Sequence, residues 1–108
     1  MGYFPDVEMY IIEMDIPNST AMLEILEYRK VPRTPIDPAT AHPGTAHFCI
    51  YVRDLDALYE KLIAQGATSV SPVQTADQGP YAGFKVVYMK DPDGIRVELC
   101  ELPDHLKN

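Results

Sequence analysis

Three side chains that could bind a metal ion, Glu24, His47 and Glu98, each lie in a segment with the alternating pattern of a β-strand. An imidazole with two carboxylates suits Zn²⁺, Mn²⁺, Fe²⁺, Ni²⁺ or Co²⁺ and leaves positions open for water and substrate. A metal held in this way can polarise a carbonyl oxygen, and a carboxylate beside it can transfer a proton. Residue types and spacing alone favour a plainer alternative, because strand histidines and glutamates are more often surface or core residues than ligands.

Other polar residues are weaker candidates. Arg96 and Lys85 could hold an anionic substrate, or they could simply offset neighbouring glutamates, and Tyr51 could line a cleft or only pack there. Cys49 and Cys100 are too few for a disulfide framework, and both lie in apolar strand segments, so we expect reduced, half-buried thiols.

One helix and several strands are predicted to position these residues. Apolar residues recur at helical spacing over 55–65, with Asp54 as N-cap and Gly66 as the stop. The segment 91–94, Asp-Pro-Asp-Gly, is typical of a turn that closes a hairpin. Strands around the helix, in a β-α-β-β-β order, are predicted at 45–52, 68–73, 84–90 and 95–102.

An earlier hairpin is predicted from strands at 7–16 and 21–29. The stretch that follows it contains four prolines and is predicted to be a connector, because proline suits neither a helix interior nor a central strand. We therefore describe residues 1–108 as one domain of four segments. These are a first hairpin (1–31), the connector (32–44), a β-α-β-β-β module (45–102) and a tail (103–108).

The two hairpins resemble each other at a constant offset of 74 residues. Residues 7–28 align without a gap with residues 81–102, and Glu24 then coincides with Glu98. Two generic amphipathic hairpins could match by chance, but a second pair of coinciding glutamates and an equal hairpin length favour a true repeat. A complete first module would need roughly 28 further residues before residue 1.

Strand alternation assigns the side chains to two faces of the sheet. The face predicted to pack on the helix carries Phe48, Ile50, Val52, Ile95, Val97 and Leu99. The opposite face is predicted to carry His47, Cys49, Tyr51, Arg96, Glu98 and Cys100, with Lys85, Val87 and Met89 from the neighbouring strand. The repeat places Glu24 on the equivalent face of the first hairpin.

Three motifs in the second half carry a family resemblance: TAHFCIYVRDLDALY at 45–59, MKDPDG at 89–94 and VEL at 97–99. In this order they resemble the vicinal oxygen chelate superfamily, which includes glyoxalase I, bleomycin-resistance proteins, extradiol dioxygenases and methylmalonyl-CoA epimerase. The resemblance implies an α+β fold of paired β-α-β-β-β modules whose sheets curve around a metal-binding cleft. Here one module is complete and one is partial.

The resemblance also implies roles for particular residues. A divalent ion (Zn, Ni, Mn, Fe or Co) would be bound by Glu24, His47 and Glu98, with Glu98 also serving as the proton-transferring base. Tyr51 and Arg96 are expected to contact the substrate. An enzyme of this kind would carry out lyase or isomerase chemistry on a small oxygenated molecule. The alternative is a protein of the bleomycin-resistance type, which binds a small molecule without metal or catalysis.

The family's fourth ligand would lie in the stretch expected before residue 1. A homodimer could compensate for it and would also cover an open sheet edge. His42 in the connector or His105 near the C-terminus could serve instead, although solvated histidines are commoner at such positions. A recombination remnant without any function is a further alternative.

Composition excludes several classes of partner. The chain has a formal charge of −7 and its basic residues are scattered, so we expect no nucleic-acid binding. No apolar run approaches the roughly 20 residues that span a bilayer, so we expect no membrane partner. The N-terminus lacks the basic and apolar regions of a signal peptide, which predicts a cytoplasmic protein.

Overall fold

The structure, a computed structural model, describes residues 7–107 as two units, one that ends at Pro35 and one that begins at Ile36. Residues 1–6 of the predicted first hairpin segment and residue 108 of the predicted tail lie outside the described residues. No helix within residues 7–107 combines the length and apolar character needed to cross a membrane.

The first unit is an antiparallel hairpin. Strand β1 (Glu8–Asp15) pairs with strand β2 (Met22–Arg29) along its whole length. The predicted hairpin is confirmed. Residues 32–44, which contain the four prolines, form turns and irregular backbone without helix or strand, as their composition predicts.

The second unit is a five-stranded mixed sheet with one helix. Its elements are β3 (Phe48–Tyr51), α1 (Leu55–Ala64), β4 (Thr68–Ser69), β5 (Gln74–Thr75), β6 (Lys85–Lys90) and β7 (Arg96–Glu101). The sheet order is β3-β7-β6-β4, with β5 also paired to β6. Strand β3 is parallel to β7 and the other pairs are antiparallel. A short 3₁₀ helix, Asp104–Leu106, follows. The predicted α+β class is confirmed.

One predicted strand divides into two. Residues 68–73 form only the two-residue strand β4, and a second two-residue strand, β5, begins at Gln74. Pro72 lies between them and has no N–H for a strand hydrogen bond, so the pairing with β6 is interrupted there.

The helix α1 is capped at both ends, as its sequence predicts. The Asp54 side chain accepts a hydrogen bond from the backbone N–H of Ala57. The Glu101 carboxylate accepts a second one, from the N–H of Leu55, at 2.7 Å. Gly66, with a φ of 96°, follows the helix and takes the left-handed conformation that ends helices readily.

The core lies between α1 and one face of the sheet. Leu55, Val87, Met89 and Leu99 are buried there, with Ile50, Val52, Leu58, Leu62 and Val97 packed around them. The prediction that Lys85, Val87 and Met89 share a face with Glu98 is wrong, because Val87 pairs with Leu99 and Tyr88 pairs with Glu98.

The turn lengths explain this error. Five residues separate Lys90 from Arg96, whereas six separate Asp15 from Met22. The two turns therefore differ by one residue, although the repeat predicts hairpins of equal length. The offset of 74 aligns β2 with β7 correctly. Applied to β1 and β6, it is wrong by one residue, so the aligned side chains lie on opposite faces. Glu24 therefore lies across from Glu13.

Candidate functional site

His47 and Glu98 meet on the face of the sheet opposite α1. His47 comes directly before β3, and the parallel pairing of Cys49 with Glu98 brings the two side chains together. The Nε2 atom of His47 is 3.0 Å from an Oε atom of Glu98. An ionised carboxylate can only accept, so the imidazole N–H donates this hydrogen bond. Both side chains are partly exposed, 33% and 21%, and can therefore be reached by a ligand.

Tyr88 is a third member of this cluster and was missed by the sequence analysis. It lies across from Glu98 in the β6–β7 pair, and its hydroxyl is 3.5 Å from His47 Nε2. The His47 and Tyr88 rings meet edge to face, with centroids 5.1 Å apart. Burial raises the pKa of the Tyr88 phenol, and the Glu98 carboxylate raises it further, so the hydroxyl keeps its proton and can donate. The five-residue turn between Lys90 and Arg96 is the sequence feature that could have placed Tyr88 opposite Glu98.

A pocket of about 380 Å³ opens beside the cluster. Its wall comes from β3, β6, β7 and the loop between β5 and β6, and is mostly aromatic or apolar. The lining residues include Tyr51, Tyr81, Phe84, Val86, Tyr88 and Glu98. A mainly apolar cleft with a few convergent polar groups is the usual form of a small-molecule site.

The two cysteines also line this pocket but are poor nucleophiles. Burial, followed by the charge of Glu98, raises the pKa of Cys49 to about 11. The same two causes raise the pKa of Cys100. Both are free thiols, and a protonated thiol is unreactive at neutral pH.

The two predicted substrate-binding residues have different positions. Tyr51 lines the pocket and is 64% exposed. The guanidinium of Arg96 donates to the backbone carbonyl of Gly94, in the β6–β7 turn, and Arg96 is not among the described residues that line the pocket. Lys85 forms an ion pair with Asp56 on the helix side of the sheet.

The remaining predicted ligands lie elsewhere in the chain. Glu24 is an exposed residue of β2, in the first unit, where it faces Glu13 across the hairpin. His42 is 3.1 Å from Asp37 in the connector. His105 lies in the 3₁₀ helix near the end of the chain.

The His47–Glu98 pair fits a divalent metal in donor type and in spacing. Two atoms 3.0 Å apart can be neighbouring ligands of one ion that lies about 2.1 Å from each. The pair supplies two protein ligands, and typical sites need about three. Among residues 7–107, no group of three or more His, Cys, Asp or Glu side chains is placed to hold a metal. A metal would therefore require a further donor.

Sequence comparison gives two matches. A model of the Glyoxalase/Bleomycin resistance protein/Dioxygenase superfamily matches residues 5–99. A curated 2-epi-5-epi-valiolone epimerase from an Actinomyces species is 37% identical over 82 residues, which are 75% of this chain and 45% of the relative. The chain thus spans about half the length of that relative.

Solved structures share the fold. A glyoxalase family protein from Bacillus cereus superposes with a TM-score of 0.71 at 18% identity, over 88% of this chain and 62% of the other. The protein SMU.1112c superposes with a TM-score of 0.65 at 27% identity, over 86% of this chain and 70% of the other.

Proposed function

Because the chain belongs to the Glyoxalase/Bleomycin resistance protein/Dioxygenase superfamily, we propose that it is an isomerase-type enzyme acting on a small oxygenated molecule. The observation that carries the proposal is the His47–Glu98 hydrogen bond at the edge of the aromatic pocket. The similarity to a curated epimerase supports isomerase chemistry over lyase chemistry.

The proposed reaction removes and returns a proton at a carbon next to a carbonyl group. Glu98 is the proposed base, because its carboxylate lies in the pocket wall and can accept a proton from a bound molecule. Without metal, the His47 N–H fixes the orientation of that carboxylate. With metal, the same nitrogen would give up its proton and would be a ligand instead. The Tyr88 hydroxyl lies in the pocket wall, where it can hydrogen-bond a substrate oxygen.

The proposed cofactor is a divalent metal bound by His47, Glu98 and Glu24. When bound, it would supply Lewis-acid polarisation of the substrate carbonyl oxygen. We propose Tyr51 as a substrate contact, since it lines the pocket, and Arg96 only as a residue that supports the turn before Glu98.

A homodimer is part of the proposal. The first hairpin exposes large apolar side chains on both of its faces, and two strands with exposed apolar faces have little stability by themselves. These side chains are Tyr10, Ile11, Ile12, Met14, Met22, Ile25 and Leu26. A second copy that covers them would double the mass measured by light scattering.

A cytoplasmic location remains a prediction from the sequence.

Deuterium incorporation tests the proposed reaction. The full chain, supplied with Mn²⁺, is incubated in D₂O with a neutral α-hydroxyketone, either 2-hydroxycyclohexanone or 4-hydroxyhexan-3-one, and exchange of the α-proton is followed by NMR. We expect exchange well above the buffer rate, and a fall of at least about 100-fold in Glu98→Gln. Glu60→Gln, on the exposed side of α1, is the matched control and should exchange like the parent. Equal rates in parent and Glu98→Gln contradict the proposal.

A metal-free binding protein is the second candidate function. The aromatic wall favours it, and so does the lack, within residues 7–107, of a third side chain placed to bind a metal together with His47 and Glu98. Metal content after purification without chelator separates the two candidates. Metal in the parent and not in Glu98→Gln supports the enzyme, whereas absence from both, with ligand binding intact, supports the binding protein.

A further inference from the structure

The wall of the pocket carries several aromatic rings and, among the described lining residues, neither lysine nor arginine. Two cations of the neighbouring strands point elsewhere: Arg96 donates to the Gly94 carbonyl, and Lys85 binds Asp56. Arg53 and Lys107 line a separate pocket on the other side of Tyr51. Glu98 is the charged group of the wall, and the whole chain carries a formal charge of −7. An anionic ligand would therefore lose water without gaining a cationic partner and would face a carboxylate.

The mouth of the pocket has exposed aromatic surface. Tyr51 and Tyr81 are each 64% exposed, which leaves their rings available to a ligand. Tyr81 packs edge to face on Phe84, with centroids 5.5 Å apart. Aromatic faces favour stacking with flat or ring-shaped apolar surfaces.

The loop that carries Tyr81 is held by backbone hydrogen bonds. The N–H of Ala76 donates to Phe84 and the N–H of Gly83 donates back to Ala76, at 2.9 and 2.8 Å. Gly83 has a φ of 88° and approaches Pro103 so closely that a side chain would be crowded. Tyr81 is thus presented by a closed loop that packs against the chain after β7.

We propose that this pocket selects an uncharged ring-shaped ligand over an anionic one, with Tyr81 as a specificity-determining residue. The inference deepens the proposed function, on which it rests, by naming the class of molecule that the His47–Glu98 pair would meet. The absence of lysine and arginine from the described pocket wall sets the charge preference. The ring of Tyr81 sets the preference for shape.

Matched probes separate charge from shape. We would titrate the full chain, freed of metal with a chelator, with 4-oxocyclohexane-1-carboxamide, with the isosteric 4-oxocyclohexane-1-carboxylate, and with the open-chain 6-oxoheptanamide, following the ligand signals by NMR. The carboxylate should bind at least about tenfold more weakly than the cyclic amide, because it is repelled by Glu98. The open-chain amide should also bind more weakly than the cyclic one.

Variants of Tyr81 test its role. Tyr81→Leu should weaken binding of the cyclic amide by about threefold to tenfold. Tyr81→Phe should bind it with the affinity of the parent, because phenylalanine keeps the ring. Unchanged melting temperatures would show that both variants are folded. Equal affinity for amide and carboxylate, no binding of the amide, or unchanged binding by Tyr81→Leu would overturn the inference. These outcomes leave the proposed function standing if deuterium exchange still depends on Glu98.

Discussion

The hairpin β1–β2 and the hairpin β6–β7 have similar sequences and different surroundings. Val87, Met89 and Leu99 of the second hairpin are buried beneath α1. In the first hairpin, Ile12 is 58% exposed and Ile25 is 45% exposed. A shared strand pattern therefore determines pairing, whereas burial depends on what covers the strands.

The comparison extends to the two aligned glutamates. Glu98 has His47 within hydrogen-bonding distance and Tyr88 across from it. Glu24 has another carboxylate, Glu13, across from it, and like charges in directly paired strand positions repel each other. Glu98 thus lies in a formed cluster, whereas Glu24 is an exposed residue that faces a like charge.

The largest expected effect is on metal affinity. If the three proposed residues bind Mn²⁺, removing any one of them should weaken binding by at least about 100-fold. A calorimetric titration of His47→Ala, Glu98→Gln and Glu24→Gln measures this. Glu60→Gln is again the control. Parent-like binding by Glu24→Gln would exclude the first hairpin from the metal site, and parent-like binding by Glu98→Gln would refute the metal proposal.

The next effect is on stability and compares one leucine from each hairpin. Leu99→Ala should lower the free energy of unfolding by about 2–5 kcal/mol, because Leu99 is only 6% exposed. At concentrations where light scattering gives the monomer mass, Leu26→Ala should lower it by less than about 1 kcal/mol, because Leu26 is 37% exposed in the single chain. Urea unfolding followed by circular dichroism measures both. Equal losses would mean that the first hairpin is buried as deeply as the second.

The smallest effect concerns the second pair of aligned glutamates, Glu27 and Glu101. Glu101 is 8% exposed, and hydrogen bonds from Lys107 and then from the Leu55 N–H lower its pKa. Glu101→Gln should lower the free energy of unfolding at pH 7 by about 1–3 kcal/mol. Glu27 is exposed beside Arg29, so Glu27→Gln should leave stability unchanged.

The lowered pKa of Glu101 predicts how its contribution to the free energy of unfolding changes with pH. Because the folded-state pKa lies below the ordinary value of 4.5, the contribution is complete above pH 4.5 and is lost as the pH falls through the folded-state pKa. Urea unfolding between pH 7 and pH 3 should therefore show a stability difference between the parent and Glu101→Gln that narrows toward the acid end. A stability difference that is independent of pH would contradict this role for the carboxylate.

Local patterns predicted much of the second unit. Helical spacing with Asp54 and Gly66 placed α1, and the Asp-Pro-Asp-Gly turn placed the last hairpin. Alternation put His47 and Glu98 on one face, and the structure brings their side chains into contact. These features depend on residues that are close in sequence or on strict two-residue periodicity.

Other features depend on details that the pattern does not contain. One residue of turn length decides whether Val87 or Tyr88 lies across from Glu98, so the prediction there was wrong. The aromatic loop with Tyr81 was missed because it has no periodicity, and its place beside the pocket follows from tertiary pairing of β5 with β6.

A double-mutant cycle on deuterium exchange tests most directly whether His47 and Glu98 act as one unit. The rates of the parent, His47→Ala, Glu98→Gln and the double variant are compared with the same α-hydroxyketone. We expect each single variant to lose at least about 100-fold and the double variant to be no more than about threefold slower than the slower single one, because groups that act together are not additive. Rate losses that multiply in the double variant would show that the two residues act independently and would contradict the account.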